Sequence, residues 1–413
     1  MKYNSALENL LSAREERDAL EKKLLLENKV DTMITVRANY PGSEKNTVQS
    51  HIISYFTFLQ VIKKFSHIKI FYSLTSEGLL FFILTHEKPI AVKQKTVEIE
   101  ENFFLGRLAD IDVRNKTKIF SRSDLGKSER KCLLCNQRAV LCVRNKTHPL
   151  DSVIQKINCD AEKIFTSAVN NTDLLALIVR VSMLEELCRV YSFGCVNVNH
   201  NGSHSDMNFL LMLKGIAVVA ESIAALNAEK VQSFYHTRQH GIVFEKKLLA
   251  ACGGVNTYKG AHFLFLILCA SVLNCKNFSQ LQNFIAEFSK GCRADFTIPN
   301  SELNFEMIGA RGAALLGFEK HFHIYLPLIE AGVSATELTL TILANTYDTT
   351  TVKRAGETQL AYIQEQARTV KTETEIQKLD RYCVEHNLST GGVADNFIIS
   401  YALYLIKKYY YGL

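Results

Sequence analysis

Gly106-Arg-Leu-Ala-Asp-Ile-Asp-Val113 reads as a strand from Leu108 onward, with apolar and polar side chains alternating. On a strand, alternate side chains share a face, so Asp110 and Asp112 point the same way. Two same-facing carboxylates about 7 Å apart along a strand can share divalent cations, magnesium above all. That arrangement suits in-line displacement at phosphorus, and Arg107 can meet a phosphate bidentately. The alternative is a pair of exposed polar residues on an edge strand, because Asp-x-Asp is a common spacing.

Working outward, Ser5-Ala-Leu-Glu8 and Ser12-Ala-Arg-Glu15 read as capping boxes, predicting two consecutive helices over 5–27. Leu20, Leu24 and Leu25 form their core stripe, and the charged remainder is expected to face solvent. A helix is expected over 46–64. Strands are expected at Thr32–Arg37, Ile68–Leu74, Leu79–Thr85, Val97–Glu100, Leu108–Val113 and Lys118–Arg122. Helices followed by strands predict an α+β domain with a mixed sheet, an antiparallel one being the alternative.

Arg130-Lys-Cys-Leu-Leu-Cys135 then opens a run that continues to His148. Cys132, Cys135, Cys142 and His148 have the residue types and close spacing of a structural zinc site. A packed helix or strand would explain the same run. Arg130, Lys131, Arg138, Arg144 and Lys146 make a basic strip around it, suited to a diphosphate or an acidic protein, or else simply solvated.

The second half reads as helical: Asp173–Val190, Asp206–Asn227, His262–Leu273, Ser279–Lys290, Ser301–Leu316, Ser334–Asn345, Glu357–Val370, Glu373–Glu385 and Val393–Tyr410. The absence of strand alternation predicts an all-α helical bundle. Domains of 1–158 and 159–413 follow, joined by a helix-to-helix turn. The loop Phe193–Asn208 concentrates two glycines, two histidines and Asp206 ahead of an apolar helix, which Ser203 or Ser205 is expected to cap.

With 413 residues and 47% hydrophobic content there is ample material for two cores. The longest apolar run, Phe263–Leu273, is shorter than the roughly 20 residues that span a bilayer, so no membrane partner is expected. Glu8, Arg14, Glu15 and Glu16 do not suit a secretory signal. Eleven cysteines without a secreted context point to reduced thiols and a cytoplasmic location. A net charge of +6 suits polyphosphate ligands without requiring nucleic acid.

Leu10–Arg17, Leu105–Asp112, Ser121–Asp124 and the Cys132–His148 run, in that order, resemble the apo-citrate lyase phosphoribosyl-dephospho-CoA transferase family over nearly all of 1–158. The resemblance implies a nucleotidyltransferase-like domain. It would transfer the phosphoribosyl-dephospho-CoA group to a serine of the citrate lyase acyl-carrier subunit, releasing diphosphate. Asp110 and Asp112 would hold metal, Arg107 and Arg130 the phosphates, and Asp124 would be a third carboxylate.

Phe193–Asn208, Gly253–His262, Ala310–Phe318, Tyr347–Thr350 and Asn387–Asp395 similarly resemble the triphosphoribosyl-dephospho-CoA synthase family over roughly 160–413. That reaction joins ATP to 3′-dephospho-CoA and releases adenine. Glycosyl transfer of this kind needs carboxylates for charge and proton handling, here Asp206, Asp348 and Asp395. Lys259 and Arg311 would meet the triphosphate, with Gly202, Gly253, Gly254, Gly391 and Gly392 allowing close backbone approach. Asn256 and His204 would orient the nucleotide.

The chain departs from that family's pattern at several positions. Ser192-Phe193-Gly194 stands for Lys-Pro-Gly, Asn197 for aspartate, Tyr258 for histidine, Ala313 for glutamate, Thr390 for proline and Ala355 for glycine. Two rivals to the citrate lyase reading are service to malonate decarboxylase and a non-enzymatic zinc-knuckle adaptor. The carboxylate pair and the helical second half speak against the adaptor.

Overall fold

The structure, a computed structural model, describes residues 2–227, 229–296 and 304–413. The chain forms two compact units, Met1–Ile164 and Phe165–Leu413, dividing six residues beyond the 158/159 boundary read from the sequence.

In the first unit, α1 (Lys2–Glu27) is one continuous helix rather than two. Ser12 lies inside it, its hydroxyl donating to Glu16 at 3.0 Å instead of capping, while the side chain of Ser5 is outside the described residues. There follow β1 (Thr32–Ala38), α2 (Val48–Lys64), β2 (Lys69–Thr75), β3 (Gly78–Thr85), α3 (Pro89–Asn102), β4 (Ala109–Arg114) and β5 (Ile119–Phe120). The expected strand Val97–Glu100 is the last part of α3. Pro89 at the first turn presets the helical φ, and the Lys/Gln/Glu-rich sequence after it favours helix over strand.

The five strands are ordered β2-β3-β1-β4-β5, and every neighbouring pair is antiparallel. The expected mixed sheet is therefore corrected to an antiparallel one. Two connections run through helices, β1–α2–β2 and β3–α3–β4, but each skips a strand. The skipped place is filled by an oppositely directed strand, so no parallel neighbours arise.

β3 is buried along its whole length because both sheet faces are covered. On one face Phe58 of α2 stacks on Phe81 with ring centroids 4.0 Å apart. On the other, Leu24 and Leu25 of α1 pack on Met33, Leu80, Phe82 and Leu84. The unit continues with the short α4 (Ala139–Arg144) and α5 (Leu150–Thr166).

The second unit has helices and no strand among its described residues. Its longer helices are α6 (Asn171–Leu187), α7 (Phe209–Ala224), α8 (Phe234–Ala251), α9 (Lys259–Asn274) and α10 (Phe278–Phe288). Then come the short α11 (Gly309–Leu315) and α12 (Leu326–Glu330). The unit ends with α13 (Ala335–Asn345), α14 (Thr349–Ala355), α15 (Glu357–Thr369), α16 (Glu373–Glu385) and α17 (Gly391–Tyr409). Residues 301–303 of the helix expected from Ser301 lie outside the described residues, and α11 begins only at Gly309. α9 is buried almost all round and packs against α8, α10 and α17, as a helix without a polar face must. α8 was not expected from the sequence. It buries only Thr237, Gly241 and Leu248, too few for a visible apolar stripe.

The Phe58–Phe81 stack generates a stability prediction. Phe81→Ala should cost about 3–5 kcal/mol in the first unit. Hydrogen exchange of β1 and β3 amides should accelerate accordingly, while α9 and α17 amides keep their wild-type protection. Unchanged exchange in β3 would contradict this account of the sheet's packing.

Candidate functional site

Each unit carries its own cluster of charged side chains. In the first, the antiparallel register sets Thr35 opposite Asp112 and Arg37 opposite Asp110. All four side chains project on the face that α1 covers. β4 lies between β1 and β5, but β5 pairs only with Val113 and Arg114, so Ala109–Asp112 has a strand partner on the β1 side alone. Arg37 contacts Asp110 at 2.5 Å, Asp112 at 3.7 Å and Glu77 at 3.5 Å. Burial, and then the nearby Asp110 charge, push the Asp112 carboxyl up to about 6.

The charged side of α1 is exposed along most of its length, as expected, but not at Arg17 and Glu21. Arg17 of α1 binds Glu77 at 2.6 Å, and the buried Glu21 receives Arg114 at 2.6 Å and the Thr35 hydroxyl at 2.8 Å. Arg37, Glu77, Arg17 and Glu21 were missed by sequence reasoning. The available signal was a basic residue inside each of two strands, Arg37 on β1 and Arg114 on β4.

Arg130 joins this cluster: it lies 3.9 Å from Asp110, donates to the Ala109 carbonyl at 3.0 Å and pairs with the buried Glu100 at 2.6 Å. Arg107 instead donates to the Lys131 carbonyl at 2.6 Å and lines a cleft with Phe104, Lys156 and Lys163. Asp124, expected as a third carboxylate, is engaged within its own turn. It closes a capping box with Ser121 and is held by Lys118 at 2.5 Å, which, with the Ser121 bonds, lowers its carboxyl to about 2.

In the second unit a cavity of about 420 Å³ gathers Asn256, Lys259, Arg311, Gly392 and Asp395 from the expected set. The first turns of α9 and α17 form part of its wall. Lys320 and Lys353 add positive charge that sequence reasoning missed. Lys259 also pairs with Glu245 at 2.5 Å, and Arg311 with Asp295 at 3.1 Å.

Asp395 sits against the first turn of α9. A β-carbon on Gly260 would fall 2.1 Å from its Oδ2, so only glycine leaves room, and the Ala261 N–H donates to the carboxylate. Burial, then the charges of Asp348 and Glu186, push the Asp395 carboxyl up to about 8.

Asp348 is fully buried behind this wall. Its carboxylate caps α14, accepting from the N–H groups of Thr350 at 2.9 Å and Thr351 at 2.8 Å, and takes the Val393 N–H of α17 at 3.0 Å. Gly391 and Gly392 are small because α17 begins against Thr350 and this carboxylate.

The remaining expected residues lie elsewhere. α7 starts at Phe209 with Asn208 as its cap, so the expected start at Asp206 with Ser203 or Ser205 capping is corrected. Asp206 is exposed, and neither it, Gly202 nor His204 lines the cavity. His204 meets Ser389 at 3.0 Å and Arg354 at 3.3 Å. Gly253 and Gly254 have φ of +64° and +87° and end α8, the Gly254 N–H donating to Leu249 at 2.8 Å. Missed by the sequence reading were His321 and Tyr325, both buried, on a π-helical turn (His321–Tyr325) at the cavity.

The departures from the synthase pattern have local explanations. Phe193 has φ +47°, which proline cannot adopt, and its ring is fully buried. The Thr390 hydroxyl donates to the Phe193 carbonyl at 3.0 Å, tying the two loops together. Asn197 closes a turn by accepting from Asn199 and His200. Beside Ala355, it is Gly356, at φ +83°, that ends α14.

The model of apo-citrate lyase phosphoribosyl-dephospho-CoA transferase matches residues 5–164, and that of ATP:dephospho-CoA triphosphoribosyl transferase matches 172–295 and 301–412. The chain is 28% identical to Protein CitXG of Haemophilus influenzae over 94% of each chain. It is 27% identical to Protein CitXG of Leuconostoc mesenteroides subsp. cremoris over 95% of this chain and 96% of the relative. A 2-(5''-triphosphoribosyl)-3'-dephosphocoenzyme-A synthase of Pectobacterium atrosepticum is 26% identical over 51% of this chain and 82% of its own. No helix among the described residues is long and apolar enough to cross a membrane. The chain thus belongs to two transferase families at once, the apo-citrate lyase phosphoribosyl-dephospho-CoA transferases in its first unit and the ATP:dephospho-CoA triphosphoribosyl transferases in its second.

Proposed function

We infer that this chain is a bifunctional transferase that makes the citrate lyase prosthetic group in its second unit and attaches it in its first. The observation that carries the reading is the succession of two family matches on one chain, each within one compact unit. The product of one step is the substrate of the other.

In the second unit the 2′-hydroxyl of 3′-dephospho-CoA displaces adenine from the ribosyl carbon of ATP. One proton leaves the hydroxyl and one is gained by adenine, so a single group that gives and then takes a proton returns to its starting state. Asp395 suits this role: it lines the cavity and stays protonated up to about 8. Lys259, Arg311 and the N-terminal turns of α9 and α17 receive the triphosphate. Asp348 positions Asp395 rather than touching substrate, since backbone N–H groups occupy both its oxygens.

In the first unit the carrier's serine hydroxyl attacks the α-phosphorus of the triphosphoribosyl group and diphosphate departs. Asp110 and Asp112 fit a magnesium ion, because two facing carboxylates share chiefly Arg37 as counter-charge and Asp112 is pushed up to about 6. Magnesium bound there would offset charge on the phosphoryl oxygens and the leaving group. Arg130 stands beside Asp110, placed to meet the diphosphate.

Three outcomes test this reading. Full-length protein with ATP, 3′-dephospho-CoA and magnesium should release free adenine, and Asp395→Asn should slow release by roughly 100-fold or more. A folded wild type that releases no adenine would refute the synthase assignment. Second, kcat/KM for adenine release should fall as pH rises through about 8, as Asp395 loses its proton. A profile that rises there instead would make Asp395 a base. Third, with ready-made triphosphoribosyl-dephospho-CoA, Asp110→Asn and Asp112→Asn should slow the mass gain of apo-carrier by roughly 100-fold. Adenine release should stay normal in both variants. Unimpaired carrier modification would remove the carboxylate pair from the mechanism.

A further inference from the structure

Outside both transfer sites, the first unit holds a cluster that neither reaction uses. The ligand atoms of Cys132, Cys135, Cys142 and His148 all lie within 4.8 Å of one another. Cys135 Sγ is 3.5 Å from Cys142 Sγ and 3.4 Å from His148 Nε2. Tetrahedral zinc with bonds of about 2.3 Å to sulfur requires ligand–ligand spacings near 3.8 Å, so the set needs only a small adjustment to close on an ion. The sulfur spacing is far beyond the roughly 2.05 Å of a disulfide.

The backbone is shaped for the same purpose. Cys132 N–H donates to the Gln137 carbonyl at 2.7 Å and Ala139 N–H to the Arg130 carbonyl at 2.9 Å, folding residues 130–139 into a tight knuckle. The Leu134 N–H points at Cys132 Sγ, 3.4 Å away, a bond that favours the thiolate a metal needs. α4 presents Cys142, and the turn after it, with Lys146 at φ +49°, brings His148 back to the sulfurs.

This knuckle also carries a residue of the transfer site. Arg130 is its first residue and reaches Ala109, Asp110 and Glu100, while Arg107 anchors the Lys131 carbonyl from the other side.

We propose that Cys132, Cys135, Cys142 and His148 bind one zinc ion, and that the ion locks the knuckle so that Arg130 is held against Asp110. The metal assignment stands by itself, whereas the role given to Arg130 rests on the transferase reading. In this scheme zinc is structural: all four positions are filled by protein, leaving none for substrate.

The test uses the full chain, purified under reducing conditions and reconstituted with zinc. About one equivalent should remain after gel filtration. Cobalt exchanged into the site should give thiolate-to-metal charge-transfer absorption. Cys135→Ser should lose the metal, whereas His148→Cys, which keeps four ligands, and Cys159→Ser, an exposed cysteine outside the cluster, should retain it.

Wild type that retains no zinc, or that shows a Cys135–Cys142 disulfide by peptide mapping, would overturn the metal assignment, as would retention by Cys135→Ser. Stripping zinc should speed hydrogen exchange over 130–142 and slow carrier modification, leaving adenine release unchanged. Arg130→Ala should slow modification with zinc content intact. If zinc binds but its removal leaves modification at full rate, the link to Arg130 is overturned. If zinc binds and wild type modifies no carrier, it is the transferase reading that fails.

Discussion

A carboxylate with no access to water holds the second unit's site together. Asp348 takes three backbone N–H groups from the starts of two helices, α14 and α17, and no side-chain cation shares it. A buried charge is tolerated only when its lone pairs are so occupied, and helix N-termini supply both the donors and a favourable dipole. Burial still lifts its carboxyl above the ordinary range. Because Asp348 fixes the start of α17, it also fixes Asp395 one turn further on. The two negative charges then act on each other, which helps keep the second carboxyl protonated.

The first unit solves a similar problem with opposite means. Its carboxylates are not wrapped in backbone amides but interleaved with guanidinium groups from α1, β1 and β4. The α1 side of the sheet is thus divided. Met33, Leu80, Phe82 and Leu84 pack on leucines of α1, while Thr35 meets Glu21 of the same helix and Arg37 shares Glu77 with Arg14 and Arg17. One helix therefore closes the core and completes the charged cluster. Such a site depends on the helix docking correctly, since any unpaired member would be left partly desolvated.

Much of this was legible in the sequence, for identifiable reasons. β1, β3 and β4 announced themselves by alternation or by apolar runs, and Asp110 with Asp112 by strand period alone. Asn256, Lys259, Arg311, Gly392 and Asp395 were named from motifs and meet in one cavity. What stayed hidden depends on partners distant in the chain. Nothing local tells that Arg17 reaches Glu77, or that Gly260 must lack a side chain because Asp395 lies against it. The start of α7 was misread for the converse reason: a polar loop before an apolar helix offers several caps, and Asn208, not Ser203 or Ser205, provides it, leaving Asp206 exposed. Strand patterns alone left the sheet mixed or antiparallel, because alternation does not reveal strand order; each helical connection skips a strand, and every neighbouring pair is antiparallel.

That skipped-strand order has a bearing on how the chain is made. Of the five strands of this sheet β1 is made first, yet both its partners, β3 and β4, come later, the second ending at Arg114. At roughly 5–20 residues per second, the stretch from 39 to 114 takes several seconds to emerge. Throughout that interval Met33, Ile34 and Val36 have at least one open hydrogen-bonding edge beside them, able to pair with any passing strand. α1, already synthesised, packs on the same sheet face and can shelter the nascent strand. The helix that later supplies charges to the transfer site is thus also placed to guard β1 during translation.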